Sequence, residues 1–156
     1  MTLKIGQEAP EFALYDTDKN KINLSDLRGK NVLLLFFPQA FTSTCTKELC
    51  AVRDDISRYS NINAEVLGIS VDSVFTLKKY KEDQQYNFSL LSDFNKEVSA
   101  LYGSLYENWI LDMKGVSKRS AFIVDKEGMI AYAEVLENAG EVPDFGAINE
   151  KLSSLS

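Results

Sequence analysis

Histidine is absent from this sequence, because none of its 156 residues is one. Without an imidazole the chain cannot form a Ser-His-Asp triad, a Cys-His protease pair, a two-histidine zinc site or the proximal ligand of a haem. The sequence therefore excludes most ordinary hydrolytic and metal-dependent active sites.

Cysteine is nearly as scarce, with two residues in the whole chain. Two cysteines are too few for the disulfide framework of a small secreted domain. Without histidine they also cannot complete a structural zinc site within one chain, so we expect no metal and no cofactor. If the two cysteines have a function, it is a chemical reaction of the thiols and not a structural disulfide. The alternative is that they pack as small hydrophobic side chains.

Basic residues are outnumbered, with 17 Lys and Arg against 23 Asp and Glu and a formal net charge of -6. This balance repels phosphate backbones and anionic lipid headgroups, so we expect neither nucleic acid nor membrane as a partner. The first residues, MTLKIGQEAPEF, lack the pattern of a secretory signal, and no stretch approaches the length of a membrane span. We expect a cytoplasmic protein.

Linkers, repeats and low-complexity tracts are also missing, and the three prolines stand singly at Pro10, Pro38 and Pro143. A chain of this length can bury one sizeable core. We therefore expect a single domain over residues 1–156.

Hydrophobic periodicity predicts alternating strands and helices. Residues 11–24 are typical of a hairpin, and the apolar runs at 31–37 and 64–71 indicate strands buried on both faces. Helices are predicted at 44–59, 72–86, 96–105 and 144–155, the second with Asp72 as its N-cap and the third ending near Gly103. A further strand is predicted at 88–93, and a hairpin at 120–136 has its turn at Asp125 to Gly128. This order predicts an α/β fold with a central mixed β-sheet flanked by helices and an N-terminal β-hairpin.

Both cysteines follow the first buried strand in the stretch LLLFFPQAFTSTCTKELC, residues 33–50. Catalytic groups of open α/β sheets gather where strands end and helices begin. Pro38 fixes the chain direction there, and the hydroxyls from Thr42 onward are suited to cap the helix. Cys45 then falls near the positive end of the helix dipole, which favours a reactive thiolate over a packing residue.

Cys50 lies five positions after Cys45. In a regular helix this spacing separates the two Cα atoms by about 8.7 Å and turns them roughly 140° apart. A disulfide spans at most about 7 Å between Cα atoms without backbone movement. A bond between the two cysteines therefore requires the first turns of the helix to unwind, and the alternative is that Cys50 is buried on the inner face of the helix.

The stretch PQAFTSTC has the form P-x-x-x-T-x-x-C and resembles the peroxiredoxins, thiol peroxidases on the thioredoxin fold. CTKELC, with its second cysteine and Glu48, resembles the Q-type group, also called bacterioferritin comigratory proteins, and its one-cysteine relatives. RSAFIVDKEG resembles a later strand of the same family, with Arg119 before it. Order and spacing agree from about residue 6 to 152.

The resemblance implies a thioredoxin-like fold and a role for each motif residue. Cys45 attacks hydrogen peroxide or an organic hydroperoxide and becomes a sulfenic acid, and Cys50 resolves it as a disulfide that thioredoxin or a similar dithiol reduces. Arg119 holds the sulfur ionised and stabilises the departing charge.

Thr42 positions the peroxide and Pro38 shields the pocket from water. Glu48 orients Arg119, the alternative being an ordinary acidic residue near a helix start. For Arg119 the alternative is a solvated charge beside Lys118. Trp109 is either a pocket or interface aromatic or simply part of the core. Either a monomer or a homodimer fits this resemblance.

Two other functions are compatible with a reactive cysteine pair. A thioredoxin-like disulfide oxidoreductase uses C-x-x-C and a later cis-proline, but here four residues separate the cysteines and no proline lies between Pro38 and Pro143. A redox sensor would be oxidised once and stop, whereas a peroxidase turns over many equivalents of peroxide.

Overall fold

A seven-stranded sheet forms the centre of the computed structural model, which describes residues 3–156. Its strands are β1 (Ala13–Asp16), β2 (Lys21–Asn23), β3 (Asn31–Phe36), β4 (Ala64–Ser70), β5 (Ser89–Ser92), β8 (Ser120–Val124) and β9 (Ile130–Val135). They lie side by side in the order β2-β1-β5-β4-β3-β8-β9. The strands β3, β4 and β5 are parallel neighbours, whereas the other pairs are antiparallel, so the sheet is mixed as predicted.

Both predicted hairpins are present, as β1–β2 and β8–β9. A second, two-stranded sheet pairs β6 (Leu105–Tyr106) with β7 (Val116–Ser117) and was not predicted. Strands of two residues are too short to show the alternation of apolar and polar residues by which a strand is recognised.

In the part of the chain that the structure describes, five α-helices accompany the sheet, together with short 3-10 turns at Leu24–Leu27 and Ile110–Asp112. The helices are α1 (Ser43–Asp54), α2 (Ile56–Ser60), α3 (Val74–Gln84), α4 (Glu97–Leu101) and α5 (Phe145–Leu155). Among residues 3–156, none of the helices is long and apolar enough to cross a membrane.

The single helix predicted over residues 44–59 is wrong in one respect, because α1 and α2 are separate. Asp55 interrupts them with φ -114° and ψ 19°. The apolar spacing continues across the break because Leu49 and Val52 of α1 and Tyr59 of α2 belong to the same core cluster. Periodicity reports which face is buried, and a one-residue break does not change that face.

Asp72 is not the N-cap of α3 as predicted. Ser73 holds that position, and its hydroxyl accepts from the backbone N–H of Thr76. The Asp72 carboxylate is instead used elsewhere, at the loop that follows β3.

The core lies on both faces of β3, all six residues of which are buried. Leu33 and Leu35 point into a cluster that includes α1, α3 and α5, whereas Leu34 and Phe36 point into a cluster on the opposite face with Val98 of α4. Helices thus cover both faces, which explains the uninterrupted apolar run. The fold is α/β, as predicted.

Candidate active site

The candidate site begins where β3 ends. The N–H of Phe37, the first residue after the strand, donates to Ile69 O of β4 over 2.9 Å. Pro38 is buried directly after it. Because proline fixes its own φ angle and has no N–H to donate, the chain leaves the sheet here in a set direction toward α1.

Residues 37–42, which we call the 37–42 loop, are hydrogen-bonded to the segment that follows the neighbouring parallel strand β4. The N–H of Ala40 donates to Asp72 Oδ2 over 2.8 Å, and Ser70 Oγ donates to the same oxygen over 2.7 Å. Thr42 Oγ1 donates its proton to Gln39 O over 2.9 Å, so the lone pairs of this hydroxyl are left to accept a hydrogen bond. Asp72 thereby fixes the loop that carries Thr42.

Phe41 holds this loop in an uncommon conformation. Its φ is +69°, in the left-handed region that a bulky residue rarely adopts. The ring is half exposed and packs on Tyr80 with 4.9 Å between centroids. Contact with Tyr80 therefore offsets part of the backbone strain.

Cys45 lies in the first turn of α1 and is fully buried. Arg119 Nη2 donates to Cys45 Sγ over 3.0 Å, and Arg119 Nη1 donates to Glu48 Oε1 over 2.7 Å. Arg119 Nε donates to Ala139 O over 2.8 Å, which fixes the orientation of the guanidinium. One rigid fork thus joins the thiol on α1 to the carboxyl one turn further along.

Arg119 lies between β7 and β8, and its side chain is only 1% exposed. It is therefore not a solvated charge like its neighbour Lys118, whose ammonium pairs with the exposed Glu137. Burial by itself would lower the pKa of Arg119, but the interaction with Cys45, followed by that with Glu48, raises it. The guanidinium therefore keeps its charge.

Glu48 is fully buried beside this cation. Burial raises the pKa of Glu48 to about 7, against the opposing effect of Arg119. Within the described part of the chain, Glu48 Oε2 accepts no hydrogen bond, so only one carboxyl oxygen is stabilised. Near neutral pH this carboxyl is poised to hold or release a proton.

Cys50 is half-buried, and its hydrogen-bond partners are residues other than Arg119. Its Sγ lies 3.5 Å from Gln84 Oε1 and 3.8 Å from Tyr86 Oη, so its single proton can be donated to either oxygen. Both cysteines are free thiols in this structure. The structure therefore brings Cys45, Arg119 and Glu48 into direct contact but leaves Cys50 on a different side of α1.

A cavity of about 280 Å³ lies beside Arg119 and the N-terminal end of α1. Trp109 and Ile110 form part of its apolar wall, and Arg119 and Thr42 reach it from the protein side. Trp109 is half-buried, and besides lining the cavity it packs against the small core cluster of Val71, Tyr106 and Val116. The cavity is large enough to admit a small organic molecule, with its polar end toward Arg119.

Asp72 and the Ala139 carbonyl were missed by the sequence reasoning. Asp72 had a usable signal, because it follows β4, and the carboxyl ends of parallel strands meet at one edge of a sheet. Ala139 contributes only its backbone oxygen, and no residue-type pattern could have indicated it.

Comparison with known proteins places these features in a family context. Residues 5–133 match the AhpC/TSA family. The chain is 38% identical to alkyl hydroperoxide reductase E of Mycobacterium tuberculosis, with 99% of each chain covered. It is also 38% identical to the Coxiella burnetii protein named peroxiredoxin bcp, over 84% of this chain and 87% of the other. The crystal structure of peroxidoxin BcpB from Mycobacterium tuberculosis superposes with a TM-score of 0.82 and 28% identity, covering 98% of this chain and 96% of that one.

Proposed function

The chain belongs to the AhpC/TSA family, in the Q-type or bacterioferritin comigratory protein group of peroxiredoxins, and we propose that Cys45 is its peroxide-reacting thiol. A peroxiredoxin is a thiol-dependent peroxidase, so its substrates are a peroxide and a reductant. The observation that carries the assignment is the 3.0 Å contact from Arg119 Nη2 to Cys45 Sγ inside a buried site.

In the first step the Cys45 thiolate attacks one peroxide oxygen. A sulfur–oxygen bond forms, the oxygen–oxygen bond breaks, and the departing oxygen leaves as water or an alcohol after taking a proton. Arg119 stabilises the charge on the departing oxygen. As a first-turn residue of α1, Cys45 offers a backbone N–H without an intrahelical acceptor, and Thr42 Oγ1 has lone pairs free to accept from the peroxide.

Pro38 and Glu48 complete the site. Pro38, buried at the end of β3, keeps bulk water from the sulfur. Glu48 shares the guanidinium with Cys45 and so fixes the orientation of Arg119. Its raised pKa, about 7, supports a further role in holding a proton near the departing oxygen.

In the second step Cys50 attacks the Cys45 sulfenic acid, giving a disulfide and water. Thioredoxin or a similar dithiol then reduces the bond by exchange, which fits a cytoplasmic location. Residues 1–156 form one domain in this proposal and act as a monomer or a homodimer.

Intact-mass measurement after one equivalent of peroxide tests both roles. We expect the wild-type protein to lose two hydrogen atoms as the disulfide forms, and Cys50→Ser to gain one oxygen atom on Cys45. Cys45→Ser should consume no peroxide. Retained peroxide turnover in Cys45→Ser, measured with a thioredoxin system, would overturn the assignment.

A further inference from the structure

The surroundings of Cys50 carry an inference about the second step. The helix α3 ends at Gln84, and Gln85 adopts a left-handed conformation with φ 53°, which turns the chain back toward α1. We call residues 84–87 the 84–87 loop. Two of its side chains, from Gln84 and Tyr86, are acceptors for the single proton of the Cys50 thiol.

The same loop also holds α1 one turn beyond Cys50. Arg53 Nη1 donates to the backbone oxygen of Gln84 over 2.6 Å, and Asn87 Nδ2 donates to the backbone oxygen of Arg53 over 3.1 Å. The C-terminal half of α1 is therefore anchored independently of Cys50. Unwinding that brings the cysteines together is directed to the turns between Cys45 and Cys50.

The Tyr86 hydroxyl is held in place by aromatic packing. The Tyr86 ring packs on Tyr80 with 5.1 Å between centroids and on Phe88 with 5.4 Å. Tyr80 is in turn fixed to α1 by a 2.9 Å hydrogen bond between its hydroxyl and Thr46 Oγ1. The hydroxyl at Cys50 therefore belongs to a packed aromatic group and not to a mobile surface side chain.

We propose that Gln84 and Tyr86 are positioning residues for the resolving step, because they hold the Cys50 thiol away from Cys45 until the helix opens. This inference rests on the proposed role of Cys50. In the reduced helix the thiol proton is held by these two oxygens, and this contact must break as the Cys50 sulfur reaches Cys45. Interactions present in the ground state and absent from the transition state raise the barrier of that step.

The consequence concerns how long the sulfenic acid survives. In the resolving step the sulfur–sulfur bond forms, the sulfur–oxygen bond of the sulfenic acid breaks, and the oxygen leaves as water with the Cys50 proton. A second peroxide molecule competes by oxidising the waiting sulfenic acid to sulfinic acid. By slowing resolution, Gln84 and Tyr86 set the peroxide concentration at which this competing oxidation begins.

The test compares Tyr86→Phe and Gln84→Ala with the wild type by rapid quenching with a thiol-alkylating reagent and intact-mass detection. Tyr86→Phe keeps the packed ring, and Gln84→Ala keeps the carbonyl that Arg53 uses. Each variant removes one of the two acceptors of a weak S–H donor, so we expect disulfide formation to accelerate about twofold. The peroxide concentration that gives half sulfinic acid should rise by the same factor, while the rate of Cys45 oxidation stays unchanged.

Tyr102→Phe is the matched control, because its buried hydroxyl donates to Pro10 O far from Cys50. It should leave the rate of disulfide formation unchanged. Resolution that is unchanged or slower in both Tyr86→Phe and Gln84→Ala overturns the inference alone, provided that the wild type forms the disulfide. A wild type that forms no disulfide overturns the proposed role of Cys50 itself.

Discussion

The two carboxyl oxygens of Glu48 have different surroundings. Oε1 accepts from Arg119 over 2.7 Å, whereas Oε2 is buried without a hydrogen bond from the described residues. A buried carboxylate with one unsatisfied oxygen is costly, so the neutral acid is favoured. This explains why the pKa of Glu48 is raised to about 7 even though a guanidinium lies beside it.

The raised pKa predicts how stability changes with pH. The pKa of Glu48 is about 7 in the folded protein and 4.5 for an ordinary glutamate, so the folded state binds this proton more tightly. The stabilisation is fully present below pH 4.5 and is lost as the pH rises through about 7. As the pH rises through this range, the free energy of unfolding of the wild type should fall by up to about 3 kcal/mol more than that of Glu48→Gln. Urea unfolding of the reduced proteins measures this difference.

The control for this pH effect is Glu137→Gln, which removes an exposed carboxylate paired with Lys118. Surface pairs contribute little, so this variant should keep the pH dependence of the wild type. A Glu48→Gln variant whose unfolding free energy follows the wild-type pH dependence would show that Glu48 is not the titrating group.

At the scale of elements, the 37–42 loop depends on a residue from a different strand–helix connection. Asp72, after β4, accepts from the Ala40 N–H and from Ser70 Oγ. Asp72→Ala leaves both donors unpaired and frees the loop that carries Thr42. We expect the second-order rate of Cys45 oxidation by peroxide to fall about tenfold or more, since small displacements of a positioning group have large effects on rate.

Asp72→Asn separates this effect from a general loss of folding, because its amide oxygen can still accept from Ala40. Most of the oxidation rate should return in this variant, measured by stopped-flow consumption of peroxide. The rate of disulfide formation, which depends on the opening of α1, should be the same in both variants. An Asp72→Ala variant that reacts with peroxide at the wild-type rate would contradict the proposed role of Asp72 in holding the 37–42 loop.

The burial of strands and helices also explains which features could be predicted from the sequence. The apolar run of β3 and the spacing on α1 report burial, and burial decides the layers of the fold. The break at Asp55 was missed because it preserves the buried face. The contact of Arg119 with Cys45 joins residues 74 positions apart. Periodicity contains no information about such a contact, and only the family resemblance suggested it.

At the scale of the whole molecule, the start of α1 is part of both the candidate active site and the core. Cys45 and Leu49 are fully buried in the cluster that joins α1, α3 and α5 to the sheet. Unwinding these turns to form the disulfide exposes Leu49, at a cost of about 2 kcal/mol, and disrupts the contacts of Glu48 with Arg119. Closing so short a loop stabilises the protein by only about 2 kcal/mol through the unfolded chain.

The exposure of Leu49 and the closure of the short loop nearly cancel, so the loss of the buried contact between Glu48 and Arg119 decides the sign. The disulfide should destabilise this protein, in contrast to most structural disulfides. We expect the melting temperature of the oxidised wild type to lie several degrees below that of the reduced form, since 1 kcal/mol corresponds to about 2–4 °C in a chain of this size. Calorimetry of both forms measures the difference, and reduced Cys50→Ser, which cannot form the bond, should melt close to the reduced wild type. An oxidised form that melts at a higher temperature would mean that the bond forms without unwinding α1, because only then is the core contribution of Leu49 retained.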